Sequence, residues 1–192
     1  MLGYAFCGSF CTMSASISSM GRLIADGWEI QPIMSESAYT TDTRFHLADD
    51  FVRRVEEMTG RKIIHTIKDA EPLGPITPLE ALIIAPCTGN TLAKLANGIT
   101  DTAVTMAAKA HLRRDRPTLI ALASNDAMSQ NLSNIARLIT RKSVYLVRMT
   151  QDDPEKKPHS LVADMSEIPR ALELALRGEQ MRPIFREADG KK

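Results

Sequence analysis

The chain has 192 residues, the length of one domain, which buries roughly 70% of its unfolded surface without needing a disulfide or a metal. Hydrophobic residues make up 44% and charged residues 24%, and 24 Lys+Arg against 23 Asp+Glu leave a net charge of +1. That balance excludes long disorder and gives no charge surplus for nucleic acid or an acidic membrane surface.

The chain opens with an apolar run over residues 2–7, read as a strand ending at Gly8. Met13, Ile17, Met20 and Ile24 follow at helical spacing, and Gly27 closes that stripe. Residues 28–34 are the second strand candidate. Leu47, Phe51, Val55 and Met58 then form a second stripe, stopped by Gly60. Pro72, Gly74, Pro75 and Pro78 mark a loop within the domain. Residues 81–85, 118–123 and 144–147 are apolar without polar alternation, as strands covered on both faces read. Helical patterns over 90–97, 102–113, 127–141 and 167–177 fill the gaps. Strand followed by helix, repeated along the chain, predicts a single α/β domain over 1–181. Its doubly wound parallel sheet is of the flavodoxin-like or Rossmann-like three-layer α/β/α kind, with a polar tail over 182–192.

The three cysteines, Cys7, Cys11 and Cys87, form no disulfide framework and suit a reducing compartment. The N-terminal stretch lacks the basic lead of a signal peptide, and no run reaches the ~18 apolar residues of a membrane span. A cytoplasmic protein is expected.

In a doubly wound sheet, ligands lie beyond the carboxyl ends of the strands, near the point where strand order reverses. The residues after each strand are therefore the candidates. Gly8-Ser9-Phe10 leads into a helix and reads either as a turn with an N-cap or as a phosphate cradle. The segment from Ser35 to Arg44 is rich in hydroxyl side chains, which suit a sugar, a phosphate or a carboxylated substrate; the plainer reading is a solvated loop. Cys87-Thr88-Gly89-Asn90 opens another helix, where Gly89 lets backbone approach a flat ligand closely. Ser124-Asn125-Asp126 is the fourth polar turn. Together these suit a flat phosphorylated cofactor better than a metal. His46, His65, His111 and His159 are scattered without ligand spacing, so no metal site is expected. P-loop, GxGxxG and GxSxG patterns are absent.

Pro86-Cys87-Thr88-Gly89-Asn90-Thr91, followed by Leu92-Ala93-Lys94 and Gly98-Ile99-Thr100-Asp101, resembles the flavoprotein superfamily of flavin-dependent cysteine decarboxylases and flavin prenyltransferases. The resemblance implies binding of flavin mononucleotide (FMN) by Gly8, Ser9, Phe10, Ser35, Cys87, Thr88, Gly89 and Asn90, with Asn125 as a further contact. Thr40-Thr41-Asp42-Thr43-Arg44-Phe45, Glu71-Pro72-Leu73-Gly74-Pro75, Met106-Ala107-Ala108-Lys109-Ala110, Asn125-Asp126-Ala127 and the stretch 151–163 are similar to the B subunits of dipicolinate synthase.

That narrower resemblance implies a role in the mother cell of a sporulating bacterium, oxidising dihydrodipicolinate or its hydrated precursor to pyridine-2,6-dicarboxylate. The implied partners are the A subunit of dipicolinate synthase, carrying NADP or NAD, and further copies of this chain. No nucleic acid or membrane partner is expected. The small dicarboxylate substrate needs a cation, for which Arg44 and then Lys109 are the candidates. No residue carries an acid–base assignment, so catalytic residues stay unassigned. The second reading is a non-catalytic accessory subunit that keeps the fold without flavin and stabilises the A subunit. Two departures stand out. The decarboxylases' catalytic histidine would fall near Pro72, where this chain has none, and Phe10 stands where B-subunit relatives often carry histidine.

Overall fold

Strands that are apolar at every position must be covered on both faces, and the computed structural model places them at the centre of the sheet. It describes residues 1–187. In chain order the elements are β1 (Leu2–Phe6), α1 (Met13–Ala25), β2 (Ile30–Met34), α2 (Glu36–Thr40), α3 (Ala48–Thr59), α4 (Ile67–Ala70), β3 (Leu82–Cys87), α5 (Gly89–Asn97), α6 (Ala103–Leu112), β4 (Thr118–Ser124), α7 (Leu132–Ile139), β5 (Val144–Leu146), β6 (Met149–Thr150), β7 (Leu161–Ala163) and α8 (Ile168–Leu176).

Parallel pairing runs β2-β1-β3-β4-β5, the flavodoxin-like order, with helices flanking the sheet. Leaving β1, the chain builds β2 on one side and then crosses to build β3 on the other. The crevice between the carboxyl ends of β1 and β3 is the switch point. Pro32 lies in β2, an edge strand, where a missing N–H does not break a central ladder.

The sheet is mixed rather than wholly parallel. β5 pairs only with Thr118–Ile120 of β4, which leaves the last residues of that strand with free backbone groups. β7 takes them antiparallel, Ala123 opposite Val162 and Ser124 opposite Leu161, and β6 pairs antiparallel with β7. This short hairpin carries the 151–160 connection to the carboxyl edge of the sheet.

Helix α1 buries Met13, Ile17, Met20 and Leu23, with Ile24 only partly covered. Ser16 and Ser19 are buried on it as well, and both are satisfied: Ser16 Oγ donates to the Ala85 carbonyl at 2.6 Å and Ser19 Oγ to that of Met165 at 2.7 Å. In α3, Phe51 and Val55 face the core, Asp49 and Asp50 sit in the first turn where the helix dipole favours them, and Gly60 closes the last turn at φ 65°. The segment expected as a polar tail from Arg182 begins with sheet-edge contacts: Met149 N donates to the Ile184 carbonyl at 2.8 Å, and Arg186 N to that of Met149 at 2.9 Å. Residues 188–192 lie outside the described part. Among the described residues, no helix is long and apolar enough to cross a membrane.

Buried His111 of α6 donates through Nε2 to the Pro117 carbonyl at 2.9 Å, and burial holds its imidazole below the ordinary range. The unfolded chain therefore takes up a proton that the folded chain refuses. Stability is complete above the ordinary imidazole pKa of about 6.5 and falls as the pH drops below it. Urea midpoints at pH 7.5 and pH 5.5 check this: His111→Gln should reduce the difference between them.

Candidate functional site

At the end of β1, Cys7 N donates to the Pro86 carbonyl at 3.1 Å and so ties the two switch-point strands together. A single turn of 3-10 helix, Phe10–Thr12, follows. Thr12 Oγ1 donates to the Ser9 carbonyl at 2.9 Å and to Ser9 Oγ at 3.1 Å, fixing the turn. A Cβ on Gly8 would lie 3.0 Å from Ser37 Oγ, so the turn after β2 abuts the turn after β1. That second turn is not the open loop its hydroxyl content predicts. It holds α2, capped by Ser35 Oγ accepting from Ala38 N at 3.3 Å, and Ser35 Oγ also meets Ser37 Oγ at 3.1 Å.

After β3, Thr88 caps α5 by accepting from Thr91 N at 3.3 Å. Gly89 is the first helical residue and is fully enclosed by the turn after β4. A Cβ there would lie 2.6 Å from Asn131 Nδ2, 2.8 Å from Asp126 Oδ1 and in collision with Ser124 Oγ. Those three side chains are themselves joined: Asp126 accepts from Ser124 Oγ and, at 2.9 Å, from Asn131 Nδ2. The Ser124 bond first, and Asn131 after it, holds the Asp126 carboxyl below its usual range.

The turns after β1, β3 and β4 meet in a cavity of about 250 Å³. Of the sequence candidates, Gly8, Ser9, Thr88, Gly89 and Asn125 line it. Cys87 is buried at the end of β3, and Asn90 is exposed as the second residue of α5. Phe10 turns to His46, with ring centroids 6.0 Å apart, and His46 Nε2 is buried without a hydrogen-bond partner. Ser35 acts in the neighbouring cap.

The two substrate candidates lie elsewhere. Arg44 is exposed over the ring of Phe45, 4.9 Å from its centroid. Lys109 is in the last turn of α6, at the edge of the sheet where β4 begins, and it lines a separate cavity with Arg113 and Arg141. Helical direction explains the displacement, since α6 returns the chain to the start of β4 and so carries Lys109 away from the carboxyl edge.

Cys11, Thr12 and Ser124 line the carboxyl-edge cavity too and belong to the turns that the sequence singles out; the lining residues outside those turns are Ala123, Asp152, Lys157 and Val162. The stretch 151–163, read from the sequence as similar to B subunits, was the signal that could have found the last three. Burial pushes the Cys7 thiol up to about 11 and raises that of Cys87 well above the ordinary range, with Cys7 beside it a second cause. Both are therefore neutral thiols at pH 7 and serve as small apolar side chains under the turns.

Residues 2–171 match the Flavoprotein family. The chain belongs to this family. Over 184 residues it is 41% identical to the B subunit of dipicolinate synthase from Bacillus subtilis, covering 96% of this chain and 92% of that protein. The crystal structure of the corresponding B subunit from Bacillus halodurans superposes with a TM-score of 0.89 at 39% identity, over 97% of this chain and 95% of that one. The FMN-dependent cysteine decarboxylase SpaF follows at TM-score 0.66 and 25% identity, over 91% and 95%. Within the Flavoprotein family, the switch-point crevice of this chain is thus the cavity that the sequence directs attention to.

Proposed function

We propose that the chain is the FMN-binding B subunit of a dipicolinate synthase. It would act with a nicotinamide-dependent A subunit to oxidise dihydrodipicolinate, or its hydrated precursor, to pyridine-2,6-dicarboxylate. The setting is the cytoplasm of the mother cell of a sporulating bacterium, and self-association of the chain is part of the same reading. The observation that carries it is the 41% identity to the Bacillus subtilis protein across 96% of the chain.

The donor set fits FMN. Hydroxyls of Ser9, Thr12, Thr88 and Ser124 line the cavity, and the one carboxylate among its described lining residues, Asp152, is paired with Lys157 at 2.6 Å. The N-terminus of α5 opens at Gly89, whose lack of a side chain lets the turn after β4 pack against that end, and a helix N-terminus favours a phosphate. Gly8, Ser9, Thr88 and Gly89 would hold the phosphate end, with Asn125 at the rim. When bound, FMN would supply an acceptor for the hydride, two electrons with one proton, released as a dihydropyridine becomes aromatic, the second proton leaving to solvent. The chain's own contribution is to orient the ring, through turns fixed by the Thr12–Ser9 and Asp126 hydrogen bonds, and to neutralise substrate charge.

The visible absorption spectrum of the purified chain tests this. About one FMN per chain, bound as isolated or on titration, is the expected result. A chain that stays colourless after added FMN is removed would move the oxidation wholly to the A subunit, with the accessory role left to this chain.

A further inference from the structure

The cavity has one basic side chain among its described lining residues, and it is Lys157. Its ammonium lies 2.6 Å from Asp152 Oδ2, and both residues face the same space as Ser9, Thr12 and Gly89. The connection that carries the pair is folded rather than trailing. Lys157 N donates to the Asp153 carbonyl at 2.8 Å, Ser160 N to that of Lys157 at 3.0 Å, and Gln151 Nε2 to that of Pro158 at 3.0 Å. At its far end β7 is paired to β4 at Ser124. The ammonium is thus delivered to the site by a hairpin lying beyond the five parallel strands. The side chains of Lys157 and Asp152 are 48% and 31% exposed, so the pair stands at the mouth and not in the core.

We propose that Lys157 is the anchor for a substrate carboxylate, and that Asp152 holds the ammonium until a pyridine dicarboxylate exchanges with it. This rests on the flavoprotein reading above and deepens it by naming the cation the substrate meets, in place of Arg44 and Lys109. An ion pair half open to water is worth little by itself, so exchanging one carboxylate for another costs little. A charge-assisted bond to a substrate carboxylate that cannot otherwise be neutralised in the cavity is worth more. An FMN phosphate presents the same anionic oxygens. It is served, however, by the turns of the parallel strands and the N-terminus of α5, which leaves the added hairpin to the second ligand.

The test is calorimetric titration of the FMN-loaded protein with pyridine-2,6-dicarboxylate, together with FMN and riboflavin titrations of the flavin-free protein. Lys157→Gln should weaken the dicarboxylate by about tenfold or more and leave FMN and riboflavin binding unchanged. Asp152→Asn should tighten the dicarboxylate several-fold, a gain that misfolding cannot produce. Dicarboxylate binding by Lys157→Gln equal to the parent's overturns the proposal. So does loss of FMN affinity with riboflavin affinity retained, which assigns Lys157 to the cofactor phosphate and leaves the flavin reading standing. A parent protein that binds FMN but no dicarboxylate overturns the substrate anchor alone, whereas one that binds neither overturns the flavin reading as well.

Discussion

Gly89→Ala is expected to lower FMN affinity by at least about tenfold and to reduce stability by about 1–3 kcal/mol, a melting-temperature loss of roughly 2–12 °C for a chain of this size. The new methyl has no free volume: it meets Asn131 Nδ2 at 2.6 Å and Asp126 Oδ1 at 2.8 Å, and collides with Ser124 Oγ. Relief requires opening the Ser124–Asp126–Asn131 hydrogen bonds, and with them the turn that lines one side of the cavity. Gly74→Ala is the control. A Cβ at Gly74 collides with the Ala110 carbonyl on the backbone of α6, so this variant should lose stability while its folded fraction binds FMN normally. Equilibrium dialysis with FMN below the melting temperature separates the two. Gly89→Ala with parental affinity would sink the idea that this close approach shapes the cofactor site.

The fold was legible wherever a single physical pattern ran long enough. β1, β3 and β4 are buried along nearly their whole length, and an unbroken apolar run is the direct record of cover on both faces. Boundaries drifted where backbone turns take the hydrogen bonds that a longer helix would use. The helical pattern over 127–141 contracts to Leu132–Ile139 because the preceding residues form hydrogen-bonded turns: Ser129 and Asn131 N–H groups both donate to the Asp126 carbonyl. The five-residue α2 and four-residue α4 carry too few positions for a helical period, and α2 was hidden by the same hydroxyls that cap it. The β6–β7 hairpin was invisible because strands of two and three residues have no readable alternation, and its reason for existing is the shortness of β5, a non-local fact.

The site divides the same way. That Gly8, Ser9, Thr88 and Gly89 line one cavity was legible because the switch-point rule points to strand ends that sequence can locate. Lys157 was not, since a lysine in a charged stretch reads as solvated until the pairing of β7 with β4 carries it to the cavity. Lys109 lies away from this cavity for the converse reason: the strand-end rule says nothing of a residue in the last turn of a helix leading back to the other edge.

Arg148→Met should cost about 3–5 kcal/mol and lower the melting temperature by roughly 6–20 °C. Its guanidinium is buried and each of its three nitrogens donates: Nε to the Pro183 carbonyl at 3.1 Å, one terminal nitrogen to the Arg182 carbonyl at 3.1 Å and the other to Glu167 Oε1 at 3.2 Å. One side chain thus clasps the start of the C-terminal segment to the residues that lead into α8. Methionine fills the volume but leaves Glu167 with only the more exposed Arg170, 3.7 Å away, and two carbonyls without donors, and a part-buried charge stripped of its nearer partner is the expensive part of that loss. Arg148→Met with Glu167→Gln should therefore recover part of the stability that Arg148→Met alone loses. The Arg148 carbonyl also accepts from Asp164 N at 2.9 Å, directly after β7, so loosening the clasp loosens the hairpin that delivers Lys157. If that mechanical link holds, Arg148→Met should weaken pyridine-2,6-dicarboxylate at a temperature where the variant is still folded, with FMN affinity retained. A melting temperature equal to the parent's would show that the C-terminal segment stays in place without the clasp.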